Sequence, residues 1–78
     1  MYLKIKTVSE ILTFSNICSK FNGDVNVISD NFRLNAKSFM GLLSLDYSKP
    51  VKVEVYPKDR DLISYEKILS ELKPYLET

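Results

Sequence analysis

Pro50-Val51-Lys52-Val53-Glu54-Val55-Tyr56 alternates apolar and polar residues without a break. Val51, Val53 and Val55 fall on one side of an extended chain and Lys52, Glu54 and Tyr56 on the other, because successive side chains of a strand point to opposite faces. One face of this strand is therefore buried and one is wet, the pattern of an antiparallel sheet covered on a single side. A helix follows, starting near Asp59 or Asp61 and running to about Lys73, with Leu62, Tyr65, Ile68, Leu69 and Leu72 at helical spacing. Pro74 cannot donate to the carbonyl of Ser70 and crowds it, so the helix ends or kinks there.

Upstream of that strand the same two periods recur. Tyr2 to Lys6 reads as a strand, with Leu3 and Ile5 alternating against Lys4 and Lys6. Thr7-Val8-Ser9-Glu10 is a capping box that opens a helix whose apolar side is Ile11, Leu12, Phe14, Ile17, Cys18 and Phe21. Asn22-Gly23 is expected to stop it, with glycine in the left-handed position after the helix. Asp24 to Ile28 and Phe32 to Asn35 form a hairpin around the polar turn Ser29-Asp30-Asn31. Ser38 is a natural N-cap for a short helix reaching about Leu45. The order β-α-β-β-α-β-α gives an α+β fold in which a four-stranded antiparallel sheet carries three helices on one face. Residues 1–78 form a single domain, without repeat, linker or low-complexity segment.

Composition narrows the function. A chain of 78 residues buries only roughly 60–65% of its unfolded surface, so the core is small. The net charge is +1 and the basic residues are scattered, which argues against direct nucleic-acid binding, since that affinity comes from neutralising phosphates. A lone cysteine leaves no disulfide framework and favours a reducing compartment. No apolar run approaches a membrane span of about 20 residues, and the N-terminus lacks a signal peptide's apolar stretch. A cytoplasmic protein without membrane insertion is expected.

The chain contains no histidine. Imidazole is the usual general base near neutral pH and the commonest metal ligand. Without it, and with a single cysteine, neither a zinc site of ordinary composition nor a Ser–His or Cys–His catalytic pair can be built in one chain. No catalytic residue, metal ligand or cofactor is assigned, and the expected role is binding rather than catalysis.

The short helix is too apolar for its length. At about 100° per residue, Leu42 and Leu45 share one arc, while Phe39, Met40 and Leu43 occupy another. A helix on a sheet buries one such stripe, and Leu42 and Leu45 are the better core candidates. Two readings stay open: all five are core, shared with a neighbouring element, or Phe39, Met40 and Leu43 form a patch that anchors a protein partner.

The stretch Lys20-Phe21, Asp24-Val25-Asn26-Val27 and Leu34-Asn35-Ala36-Lys37-Ser38-Phe39-Met40-Gly41-Leu42-Leu43-Ser44-Leu45 strongly resembles HPr, the phosphocarrier of the bacterial sugar phosphotransferase system. The resemblance runs over roughly residues 17 to 78 and implies the HPr-like open-faced β-sandwich. It fails where the family's chemistry lies. Family members carry a Gly-Ile-His-Ala-Arg-Pro type of loop before the first helix, whose histidine accepts phosphate from enzyme I. Here Lys6 runs directly into Thr7-Val8-Ser9-Glu10, with neither His nor Arg, so phosphohistidine cannot form. Thr7 and Ser9 are nearby hydroxyls and read as caps; as a weak phosphoryl acceptor either would give a stable ester and a poor relay.

What the resemblance retains is a second site. Ser38 matches the serine that a dedicated HPr kinase phosphorylates in many Gram-positive relatives, where the modified protein is a corepressor in carbon catabolite control. Phosphate at a helix N-cap adds charge next to free N–H groups, and the adjacent Lys37 joins Phe39, Met40 and Leu43 as an expected partner-binding residue. The resemblance thus implies a regulatory module of carbon catabolite control whose partners are an HPr kinase and a transcriptional regulator or metabolic enzyme. Alternatives are that Ser38 is an N-cap only, that the chain is a structural or assembly module, or that it self-associates as a weak dimer rather than remaining a monomer.

Overall fold

The computed structural model describes residues 1–30 and 32–77. The elements are β1 (Tyr2–Leu3), α1 (Val8–Ser19), β2 (Gly23–Ser29), β3 (Phe32–Asn35), α2 (Phe39–Leu43), β4 (Lys52–Pro57), α3 (Leu62–Leu72) and β5 (Leu76–Glu77), with 3-10 turns at Lys58–Arg60 and Lys73–Tyr75. Among the described residues the strands form one antiparallel sheet in the order β3-β2-β4-β1-β5.

The sheet therefore has five strands rather than the expected four. Pro74 does end the last helix, but the 3-10 turn after it redirects the chain, and Leu76 returns to an extended conformation. Leu76 and Glu77 then pair with Leu3 and Tyr2, and Tyr75 O accepts from Lys4 N–H at 2.7 Å. The terminal strand covers main-chain groups of β1 that would otherwise lie at an open edge. β1 itself is shorter than its alternation suggests and pairs regularly only at Tyr2 and Leu3.

Three other boundaries shift for local reasons. Ser29 belongs to β2, paired with Phe32, and Asp30 turns the hairpin with a left-handed φ of 52°. Asn31, read as part of that turn, lies outside the described residues. Asp61, not Asp59, caps α3: its carboxylate accepts from Ser64 N–H at 3.1 Å and from Ser64 Oγ at 2.7 Å. Gly23 is not the cap of α1, which ends at Lys20 in right-handed geometry. It opens β2 with φ 151°, where a Cβ would stand 2.5 Å from Tyr56 O and 2.7 Å from Phe21 Cε2. Glycine is required there for close approach of the α1–β2 turn to β4.

The register puts Val25 opposite Val55 and Val27 opposite Val53, all on the helix-covered face. Ile11, Phe14 and Cys18 of α1, Leu42 of α2, and Ile68 and Leu72 of α3 close over Val25, Val27, Val51 and Val53 as one apolar cluster. The other face is open to water, and on it Glu54 gathers Arg33, Lys52 and the Tyr56 hydroxyl. Among the described residues no helix is long and apolar enough to cross a membrane.

Candidate functional site

The chain enters α1 through Thr7, whose extended backbone (φ −129°, ψ 156°) leaves its hydroxyl over the first turn. Thr7 Oγ1 accepts from Glu10 N–H at 3.1 Å. In return Glu10 Oε1 accepts from the N–H groups of Lys6 and Thr7 at 3.1 and 3.2 Å and from the Thr7 hydroxyl at 3.2 Å. A carboxylate of the chain itself thus takes the Lys6 and Thr7 N–H groups just ahead of the helix, and Thr7 Oγ1 takes that of Glu10. Ser9 is exposed; its carbonyl accepts from Thr13 Oγ1 at 3.0 Å.

The second region is built by the turn from β3 into α2. Asn35 organises it: its carbonyl accepts from Ser38 N–H at 2.9 Å and its side chain accepts from Lys37 N–H at 2.9 Å. Ser38 then caps α2, with Oγ accepting from Gly41 N–H at 3.3 Å and its carbonyl accepting from Leu42 N–H at 3.0 Å. Two further bonds fix the segment, from Ser15 Oγ to Lys37 O at 3.3 Å and from the Tyr47 hydroxyl to Leu42 O. Ser38 itself is exposed.

The helix ends at Leu43, with Ser44 as its C-cap, short of the expected Leu45; it turns Leu42 fully inward, and Leu45, beyond the cap, still packs against the core. Met40 is 74% exposed and Leu43 38%, on the same short helix as the exposed Ser38 cap. Phe39 lies between the two classes, half-buried against the core. Lys37 points elsewhere: its Nζ donates to Phe21 O at 3.2 Å, at the end of α1. That brings its charge near Cys18, whose thiol burial nevertheless pushes up to about 12. Sequence reasoning missed this arrangement, because nothing local signals that the Phe21 carbonyl lies within reach of residue 37. It also gave Gly41 no role of its own; among the described residues, a Cβ at that position would have the Ser38 hydroxyl as its one tight neighbour.

The sequence matches no protein-family model and no curated protein. Solved structures do resemble the fold. Crh of Bacillus subtilis, a catabolite-repression protein whose crystal structure is a domain-swapped dimer, is 22% identical, with a TM-score of 0.64 over 100% of this chain and 90% of that one. HPr of Thermoanaerobacter tengcongensis, solved as a dimer, is 27% identical, with a TM-score of 0.61 over 95% of this chain and 91% of that one. The chain has the HPr-like fold.

Proposed function

We propose that this chain is a non-catalytic, cytoplasmic regulatory module of the phosphotransferase system that acts by protein contact. It docks through Phe39, Met40 and Leu43 and is switched by phosphorylation of Ser38. One observation carries the reading: Met40 and Leu43 stand in solvent on the same five-residue helix that the exposed Ser38 hydroxyl caps. Exposed methionine and leucine beside a modifiable hydroxyl suit a surface whose partner is selected by charge. The first helix supports a non-relay role, since the Glu10 carboxylate sits at its start on the Lys6 and Thr7 N–H groups and the chain has no imidazole. The partners are an HPr kinase and a transcriptional regulator or metabolic enzyme of carbon catabolite control.

Intact-mass measurement tests both halves. With enzyme I and phosphoenolpyruvate the mass stays unchanged. With an HPr kinase and ATP one phosphate is added, and Ser38→Ala abolishes it; phosphate at any other residue refutes the site. A second reading, an assembly module without a switch, is favoured by the dimers of Crh and HPr among the similar structures. Sedimentation of the purified chain at low micromolar concentration separates them: a stable dimer unaffected by Ser38→Asp supports assembly.

A further inference from the structure

Gly41 stands at the centre of α2, where glycine disfavours a helix relative to alanine. Its backbone does not ask for glycine, because among the two glycines of the chain only Gly23 takes a positive φ. Packing against the sheet does not ask for it either. A Cβ at position 41 would meet Leu34 Cδ1 at 3.7 Å, an ordinary contact. Its one tight neighbour would be Ser38 Oγ at 3.2 Å, with Ser38 Cβ behind it at 3.6 Å. A bare hydroxyl tolerates that approach by moving a few tenths of an ångström. A phosphoryl ester does not, since phosphorus and three further oxygens must then be placed around the same Oγ.

We infer that Gly41 is a positioning residue for modification of Ser38: by lacking a Cβ it keeps open the space beside Oγ that a phosphoryl group crosses and then occupies. The inference rests on the reading of Ser38 as the modified residue. In the transfer, Ser38 Oγ forms a bond to the γ-phosphorus of ATP while the bond from that phosphorus to the β,γ-bridging oxygen breaks. ADP leaves, and the hydroxyl proton passes to a base of the kinase. Gly41 touches none of the reacting bonds. Its contribution is room.

The test is Gly41→Ala, assayed with an HPr kinase and ATP at a temperature where wild type and variant are both folded by circular dichroism. Alanine favours the helix, so the melting temperature is expected to hold or rise while kcat/KM for phosphorylation of Ser38 falls by about tenfold or more. Leu72→Val, which loosens the core from α3, serves as the control and is expected to keep the wild-type rate. Equal rates for wild type and folded Gly41→Ala overturn the role of Gly41 and leave Ser38 standing. An equal loss in Leu72→Val also overturns it, because the defect then tracks stability alone. A wild-type chain that takes up no phosphate refutes the reading of Ser38 itself.

Discussion

Thr7 and Glu10 hold each other across the first turn of α1: the backbone N–H of Glu10 donates to Thr7 Oγ1, and Glu10 Oε1 accepts from both the backbone and the hydroxyl of Thr7. The pair satisfies donors that a helix start otherwise offers to solvent or to an anion. Breaking it with Thr7→Ala is expected to cost about 1 kcal/mol, or a fall of roughly 4–8 °C in Tm for a domain of this size. Glu10→Ala is expected to weaken the same cap without creating a phosphoryl acceptor, because the chemistry missing there is a nitrogen nucleophile and not an empty space. Thermal melts measure the first effect, and intact mass after exposure to phosphorylated enzyme I measures the second.

A single methyl group at Gly23 would collide with the sheet. Its Cβ would lie 2.5 Å from Tyr56 O and 2.7 Å from Phe21 Cε2, and its φ of 151° strains any side chain. Gly23→Ala is expected to destabilise by about 2 kcal/mol or more, since the carbonyl belongs to a paired strand and cannot step aside. A urea titration reads this directly; a midpoint equal to wild type would show that the α1–β2 turn relaxes freely.

Gly23 also marks how far the sequence is legible. Val51, Val53 and Val55 declare their strand and its covered face, because a period of two over six residues leaves no other reading. The capping box at Thr7 is equally plain, being local. Helical spacing favours Leu42 as core but leaves open whether Met40 is covered, and its exposure is set by the tertiary packing. By contrast, Asn22-Gly23 looks like a helix stop, and only the distance to Tyr56 and Phe21 reveals its use. β5 escapes because Leu76 and Glu77 are too few to show a period; their pairing depends on where Pro74 leaves the chain. Lys37 beside Ser38 suggests a shared role, yet its amine spans to Phe21 O, a partner set by tertiary packing.

The turn before α3 carries its own strain. Asp59 and Arg60 both take φ of 55°, and neither is glycine. The left-handed region costs an ordinary residue roughly 1–2 kcal/mol. Arg60→Gly removes that strain and gives back part of it as extra freedom of the unfolded chain, so a net gain of about 0.5–1 kcal/mol is expected. Chemical denaturation checks the sign. A loss of stability would mean that the Arg60 side chain contributes more than its backbone costs.

Asp61 links this turn to pH. Hydrogen bonds from the Ser64 hydroxyl and the Ser64 backbone N–H hold its carboxyl below the ordinary value of 3.8. With the folded value depressed, the unfolded chain takes up this proton first as pH falls. The contribution is therefore full above about pH 4 and is lost on acidification through the folded value. Asp61→Asn keeps an N-cap but has nothing to titrate. Urea midpoints between pH 6 and pH 2.5 are expected to fall less steeply for the variant than for the wild type; parallel curves would remove Asp61 from the acid limb.

Cys18 gives the opposite limb. Burial raises its thiol from 9.0 to about 12, with the charge of Lys37 a smaller influence in the other direction. Above pH 9 the unfolded chain gives up a thiol proton that the folded chain keeps, so folding binds the extra proton and stability declines as pH rises toward 12. The same burial shields the sulfur from reagents, because the thiolate and not the thiol is the nucleophile. Two measurements follow from this one cause. Cys18→Ala is expected to be less stable at neutral pH, through the cavity it leaves, yet to lose less between pH 8.5 and 10.5 than the wild type. Alkylation of the native protein by iodoacetamide at pH 8 is expected to proceed only as fast as the core opens. It should therefore accelerate in step with urea and stop responding once the chain is unfolded. Rapid labelling of the folded protein, with no dependence on denaturant, would place the thiol at the surface and contradict its burial in the same core cluster as Val25 and Val27.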